Sequence, residues 1–156
     1  MSVRFAVPSD SAQLAEILIR SSRQAFSDFV SPQTMERCTD EANCRTMMDA
    51  LVRDSSVHTL IAQEQGFLIW KQYDDSCEIL AIHTLPCTWG TDLGHVLLSA
   101  ALAQIGVGPV FLWAFRDNPR ALRFYEKHGF RPDGSCRISE FDSAEEVRCV
   151  RELSNQ

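Results

Sequence analysis

The stretch Glu78-Ile-Leu-Ala-Ile-His83-Thr-Leu-Pro86-Cys-Thr-Trp89-Gly90-Thr-Asp92-Leu-Gly94-His-Val-Leu-Leu98 sets the architecture of this chain. Its first part, counted from Cys77 to Leu85, is a largely apolar run that suits a strand buried on both faces, and Pro86 stops it. Trp89 to Asp92 is a loop containing Gly90, and Leu93 to Gln104 is a leucine- and alanine-rich helical run that Gly106 to Pro109 ends. Strand, glycine-containing loop and helix in that order put free backbone N–H groups and the positive end of a helix dipole beside the loop. Such an end favours an anion, a pyrophosphate for example.

Upstream, His58 to Gln63 and Gly66 to Gln72 are β-rich runs separated by the turn-prone Glu64-Gln65-Gly66, the pattern of an antiparallel hairpin. Before them the period is helical. Leu14, Ile17 and Leu18 stand at i, i+3 and i+4 after a helix start at Pro8-Ser9-Asp10; Ser31-Pro32 opens a further helical stretch; and Met47, Met48 and Leu51 give an apolar side to a helix from about Glu41 to Val52. Val3 to Val7 reads as an opening strand. Downstream, Val110 to Phe115 is a second buried strand, Asn118 to His128 a helix, and Arg131 onward a pair of strands ending near Leu153. The expected fold is mixed α/β, of the α+β class, with a central, mostly antiparallel sheet of about seven strands flanked by about four helices.

At 156 residues the chain fits one domain, 1–156, and its composition (45% hydrophobic, 23% charged) excludes disordered and fibrous classes. No apolar run reaches the roughly 20 residues of a membrane span, and Met1 to Asp10 has neither a basic start nor a sustained apolar stretch, so a cytoplasmic location is expected. Six scattered cysteines without a C-x-x-C pair read as free thiols, and four dispersed histidines give no metal site. A net charge of -6 argues against nucleic acid as a partner and favours a cationic substrate.

Two segments carry a specific resemblance. Glu78 to Leu98 is similar to the acyl-CoA segment of the GNAT superfamily of N-acetyltransferases, and Leu112-Trp113 through Asn118-Pro-Arg-Ala-Leu-Arg-Phe-Tyr125-Glu-Lys-His-Gly129-Phe130 resembles the second signature of that superfamily. The beginning at Val3 to Asp10 and the ending Glu146 to Leu153 resemble the termini of family members, so the likeness spans nearly the whole chain. It implies acetyl-CoA as acyl-donor cosubstrate, no metal, and transfer of an acetyl group to a small or cationic primary amine in a ternary complex. It leaves a homodimer open.

The resemblance also implies residue roles. The family loop Q/R-x-x-G-x-G/A, aligned on Pro86, falls on Trp89, Asp92 and Gly94, and two of these three positions depart from it. Trp89 lacks the polar side chain, and Asp92 puts a carboxylate where a glycine lets backbone approach the diphosphate. Gly90 is a nearby compensating glycine. Thr91 completes the loop, and the amides of Leu93, Gly94 and His95 remain available to the pyrophosphate. Ile82, His83 and Thr84 on the strand are expected along the cofactor, with Asn118 near its pantetheine arm. Tyr125 corresponds to the general acid that protonates the departing thiolate, a role its phenol suits.

Glu78 is the favoured general base and His83 the second candidate. On a regular strand the two side chains lie on opposite sides, so they share a cleft only if the strand bulges. Each position also has a reading without chemistry: Asn118 is a good helix N-cap, Tyr125 packs with Phe124 and Phe130, Glu78 is solvated, and His83 is an interior histidine. Phe26, Phe29 and Trp70 are candidates for either an acceptor pocket or the core. The rival function is a non-catalytic module of the same fold with weakened CoA binding.

Overall fold

The computed structural model describes residues 2–106, 108–139 and 144–151. In chain order the elements are β1 (Val3–Phe5), a 3-10 turn (Pro8–Asp10), α1 (Ser11–Ala25), α2 (Pro32–Cys38), α3 (Glu41–Arg53), β2 (Val57–Ala62), β3 (Gly66–Gln72), β4 (Cys77–Thr84), a second 3-10 turn (Pro86–Thr88), α4 (Leu93–Ile105), β5 (Val110–Phe115), α5 (Pro119–Lys127), β6 (Arg131–Ile138) and β7 (Glu145–Arg151). The strands form one sheet in the order β1-β2-β3-β4-β5-β7-β6. All neighbours are antiparallel except β4 and β5. The mixed α+β fold with seven strands agrees with the sequence reading; short α2 brings the helices to five, one above the approximate count.

The helices begin where short polar side chains satisfy free amides. Ser31 accepts from the Thr34 amide at α2, Asp40 from Asn43 at α3, and Asn118 from Ala121 at α5. The β2–β3 turn comprises residues 63–65, with Gln63 and Glu64 at positive φ (54° and 57°), while Gly66, expected in the turn, is the first residue of β3.

Strand alternation divides the core into two layers. Phe67 and Ile69 of β3 pack with Leu14, Ile17 and Met48 of α1 and α3, whereas Leu68 and Trp70 point to the other face, against Leu97, Leu98 and Ala101 of α4. Burial on both faces makes the sheet rigid where β2, β3 and the start of β4 meet. No helix among the described residues is long and apolar enough to cross a membrane. All six cysteines are free thiols.

The expectation for β4 needs a correction. Ile69 pairs with Ala81 but Trp70 pairs with Ile79, so Leu80 is an extra residue on β4 and forms a bulge. The parallel ladder to β5 covers only Cys77↔Val110, Glu78↔Phe111 and Ile79↔Leu112. From Leu80 on the two strands part, and Leu80 is 41% exposed rather than buried. Smaller differences follow from local chemistry: β1 stops at Phe5, ahead of the Pro8 turn, and Asn118 caps α5 rather than beginning it. The expected strand end at Leu153 lies outside the described residues.

Close packing of α4 on β3 depends on Gly66. A Cβ there would stand 3.0 Å from Leu97 Cδ1, 3.0 Å from Thr84 Cγ2 and 3.2 Å from Leu93 Cδ2. Gly66→Ala is therefore expected to lower stability by about 1–3 kcal/mol through overpacking, read from the urea midpoint. An unchanged midpoint would mean that α4 rides loosely on the sheet.

Candidate active site

Where β4 and β5 separate, the chain leaves a cavity of about 500 Å³. Leu80, Ala81, Ile82 and His83 of β4 form one wall, and Trp113, Ala114 and Phe115 of β5 the other. Ala121 and Tyr125 of α5 close one end. Beyond Ile79 the edge of β4 that faces β5 has no strand partner among the described residues, which leaves backbone groups there to meet an extended ligand.

Tyr125 stands at this opening. Its ring is held edge-on by Phe124 and Phe130, with centroids 5.4 and 6.1 Å away. Its hydroxyl has no hydrogen-bond partner among the described residues, and the residue lines the cavity. Burial, with a smaller contribution from Cys149, pushes the phenol well above its ordinary pKa, so the group holds its proton through the physiological range.

The bulge satisfies the condition under which the two base candidates share a face. Lys71 pairs with Glu78 and Phe67 with His83, and both β3 residues point the same way, so the extra Leu80 brings Glu78 and His83 onto one side. Only His83 lines the cavity. Its Nδ1 lies 3.0 Å from Ser21 Oγ, its ring packs against Phe67 and Phe26, and burial pulls its pKa down to about 4. Glu78 stays at the paired end of the strand, where its Oε1 accepts a hydrogen bond from the Tyr73 hydroxyl at 2.9 Å.

The loop residues gather at the start of α4. Trp89 donates its indole N–H to the Thr84 carbonyl at 3.1 Å, and the Arg120 guanidinium lies 3.9 Å from the Trp89 ring centroid. Gly90 adopts φ 88°, a conformation that favours glycine, and the Thr91 hydroxyl donates to the Thr88 carbonyl. Asp92 occupies the N-cap position of α4 without a side-chain cap bond. The helical ladder begins with the Val96 amide to the Asp92 carbonyl, leaving the amides of Gly94 and His95 ahead of it. Leu93 is buried, and a Cβ on Gly94 would come 3.2 Å from the Phe124 ring, so this glycine lets α4 approach α5. His95 Nδ1 lies 2.7 Å from His128 Nε2, which joins the same two helices.

Asn118 does serve as a helix cap, its side chain accepting from the Ala121 amide at 3.3 Å. Of the aromatic candidates, Phe26 lines the cavity, Phe29 packs against Phe26 and Phe115, and Trp70 belongs to the core at 3% exposure. The sequence reading passed over Arg120 and, apart from Phe26, the far wall of the cavity. A cation in the first turn of α5 opposes the helix dipole, and that was the available signal for Arg120. The far wall, from α1 to α3, carries no comparable sign.

Comparison with known proteins agrees with this geometry. A PaiA N-acetyltransferase from Thermoplasma acidophilum, solved with coenzyme A, superposes with a TM-score of 0.80 at 19% identity, over 98% of this chain and 100% of that one. A GCN5-related N-acetyltransferase from Rhodopseudomonas palustris gives 0.76 at 23% identity, over 97% and 95% of the two chains. A spermidine N-acetyltransferase variant from Vibrio cholerae gives 0.70 at 14% identity, over 97% and 95%. No curated protein sequence matches the chain. The model of the acetyltransferase (GNAT) family matches residues 16–130, and with the full-length structural likeness in agreement, this chain belongs to that family.

Proposed function

We propose that this protein transfers an acetyl group from acetyl-CoA to a primary amine by direct attack in a ternary complex. The observation that carries the reading is Tyr125, which lines the opening between β4 and β5 and whose hydroxyl has no hydrogen-bond partner among the described residues. Acetyl-CoA supplies an activated thioester, and attack of the amine nitrogen on its carbonyl carbon breaks the carbon–sulfur bond without a covalent enzyme intermediate. Tyr125 donates its proton to the departing sulfur and regains one from solvent. Because burial holds the phenol above its ordinary pKa, much of its effect comes from hydrogen bonding to the developing thiolate rather than from full transfer. The free backbone edge of β4 at Ile82 and His83 orients the acyl arm.

The proton lost by the amine leaves on the face of β4 shared by His83 and Glu78. His83, neutral at physiological pH, forms the wall there, and Glu78 acts through solvent from outside the cavity lining. At the other end of the cosubstrate, the amides of Gly94 and His95 face the pyrophosphate. Arg120, seated on Trp89, supplies the positive charge that the loop's first position lacks. Trp89 and Asp92 favour the rival reading of a binding module, but neither accounts for a free phenol in the split of the sheet.

Tyr125→Phe keeps the ring and removes the donor, so kcat should fall by about a hundredfold or more with little change in the acetyl-CoA KM. Undiminished kcat would remove Tyr125 from the chemistry. For the wild type, kcat/KM for an amine should rise about tenfold per pH unit up to the acceptor's own pKa, since only the neutral amine attacks. The profile should show no inflection from His83 above about pH 6 and no fall from Tyr125 ionisation below about pH 10. Arg120→Ala should raise the acetyl-CoA KM by about three- to tenfold, most strongly at low salt, while leaving the amine KM unchanged.

A further inference from the structure

The acceptor side of the cavity has a chemistry of its own. Between α1, α2, α3 and the split strands, its wall is built from Leu18, Phe26, Met35, Met47, Leu80 and Phe115. Met47 and Leu80 are 45% and 41% exposed, so the fold leaves large apolar side chains uncovered at the opening it keeps for a substrate. The aromatic residues meet as edges and tilted faces. Phe26 lies 5.3 Å from Phe115 and 5.9 Å from His83 between centroids, both T-shaped, and Phe29 lies 5.3 Å from Phe115. An aromatic ring entering this wall finds further edges and faces to pack on.

Charge on the same wall points the same way. Glu146 is the one carboxylate among the described lining residues, and its Oε1 already accepts from Arg137 Nε at 2.8 Å. Arg137 is fixed in turn over the Trp113 ring, its guanidinium carbon 4.3 Å from the centroid. The other charged lining residue is Arg37, a cation with no carboxylate partner among the described residues. A substrate with several ammonium groups would therefore enter a site with no free carboxylate among its described lining residues, and each charge withdrawn from water there would go unpaired. The overall charge of -6 attracts cations to the protein but does not extend into this cavity.

We infer that the acceptor is a monoamine with an apolar, aromatic-sized body, an arylalkylamine in chemical class, and not a polyamine or an aminosugar. The inference rests on the acetyltransferase reading and specifies its second substrate. The single amine reaches the thioester end near Tyr125, and the body fills the wall from Phe26 to Met47.

The test compares 2-phenylethylamine with spermidine as acceptors for the wild-type protein and for Met47→Glu, which adds a carboxylate at an exposed position of the wall. For the wild type, kcat/KM for 2-phenylethylamine should exceed that for spermidine by about tenfold or more. In Met47→Glu that ratio should drop at least about fivefold. Equal or better use of spermidine by the wild type, or an unchanged ratio in the variant, overturns the assignment while leaving acetyl transfer intact. If neither amine is acetylated, calorimetric binding of the two amines decides the cavity's chemistry. Saturable binding of 2-phenylethylamine in preference to spermidine would support it, and the absence of that preference would overturn it.

Discussion

The parallel ladder between β4 and β5 is three residue pairs long, and the site depends on its being so short. A sheet edge inside a fold leaves amides and carbonyls that need partners, and a continuous ladder would have consumed them. Here the extra residue at Leu80 ends regular pairing just past Ile79, and the strands diverge into a cavity. The cost of the free edge is carried by the firmly packed remainder: Phe67, Leu68 and Ile69 of β3 are 0–2% exposed, with α1 and α3 on one side and α4 on the other. Rigidity on the β3 side of β4 is what keeps the opening on its β5 side from closing.

The same bulge sets the chemistry of the wall. By shifting the alternation of β4 by one residue, it turns His83 toward α1, into contact with Ser21 and Phe26, and leaves Ile82 toward α4. Around the other end, α4 and α5 are drawn together by Gly94 against Phe124 and by the His95–His128 pair. That contact brings Arg120 over Trp89, so a guanidinium from α5 stands beside the loop that opens α4. Sequence position and spatial position of a charge thus differ, and the second matters to an anion.

The elements that were legible in the sequence are those marked by local chemistry. Pro86 and Gly90 bracket the loop, Asn118 announces α5, and the apolar spacing of α1 and α3 needs no partner to be recognised. The bulge at Leu80 was not legible, because a one-residue slip is decided by pairing with β3 and leaves no mark in β4 itself. It changed the relation between Glu78 and His83 that a regular strand would give. Apart from Phe26, the far wall stayed hidden for a similar reason. Met35, Met47 and Cys44 read as ordinary apolar positions of amphipathic helices, and only the packing of α1 to α3 turns them to the cavity.

On the proposed function, the opening between β4 and β5, with the α4 loop beside it, holds acetyl-CoA despite Trp89 and Asp92. Calorimetric titration of the wild-type protein with acetyl-CoA tests it most directly. Saturable one-to-one binding is expected, with Kd in roughly the micromolar range, at about 8 kcal/mol of binding free energy. Absence of heat at millimolar acetyl-CoA would contradict it and turn the cavity over to a different ligand.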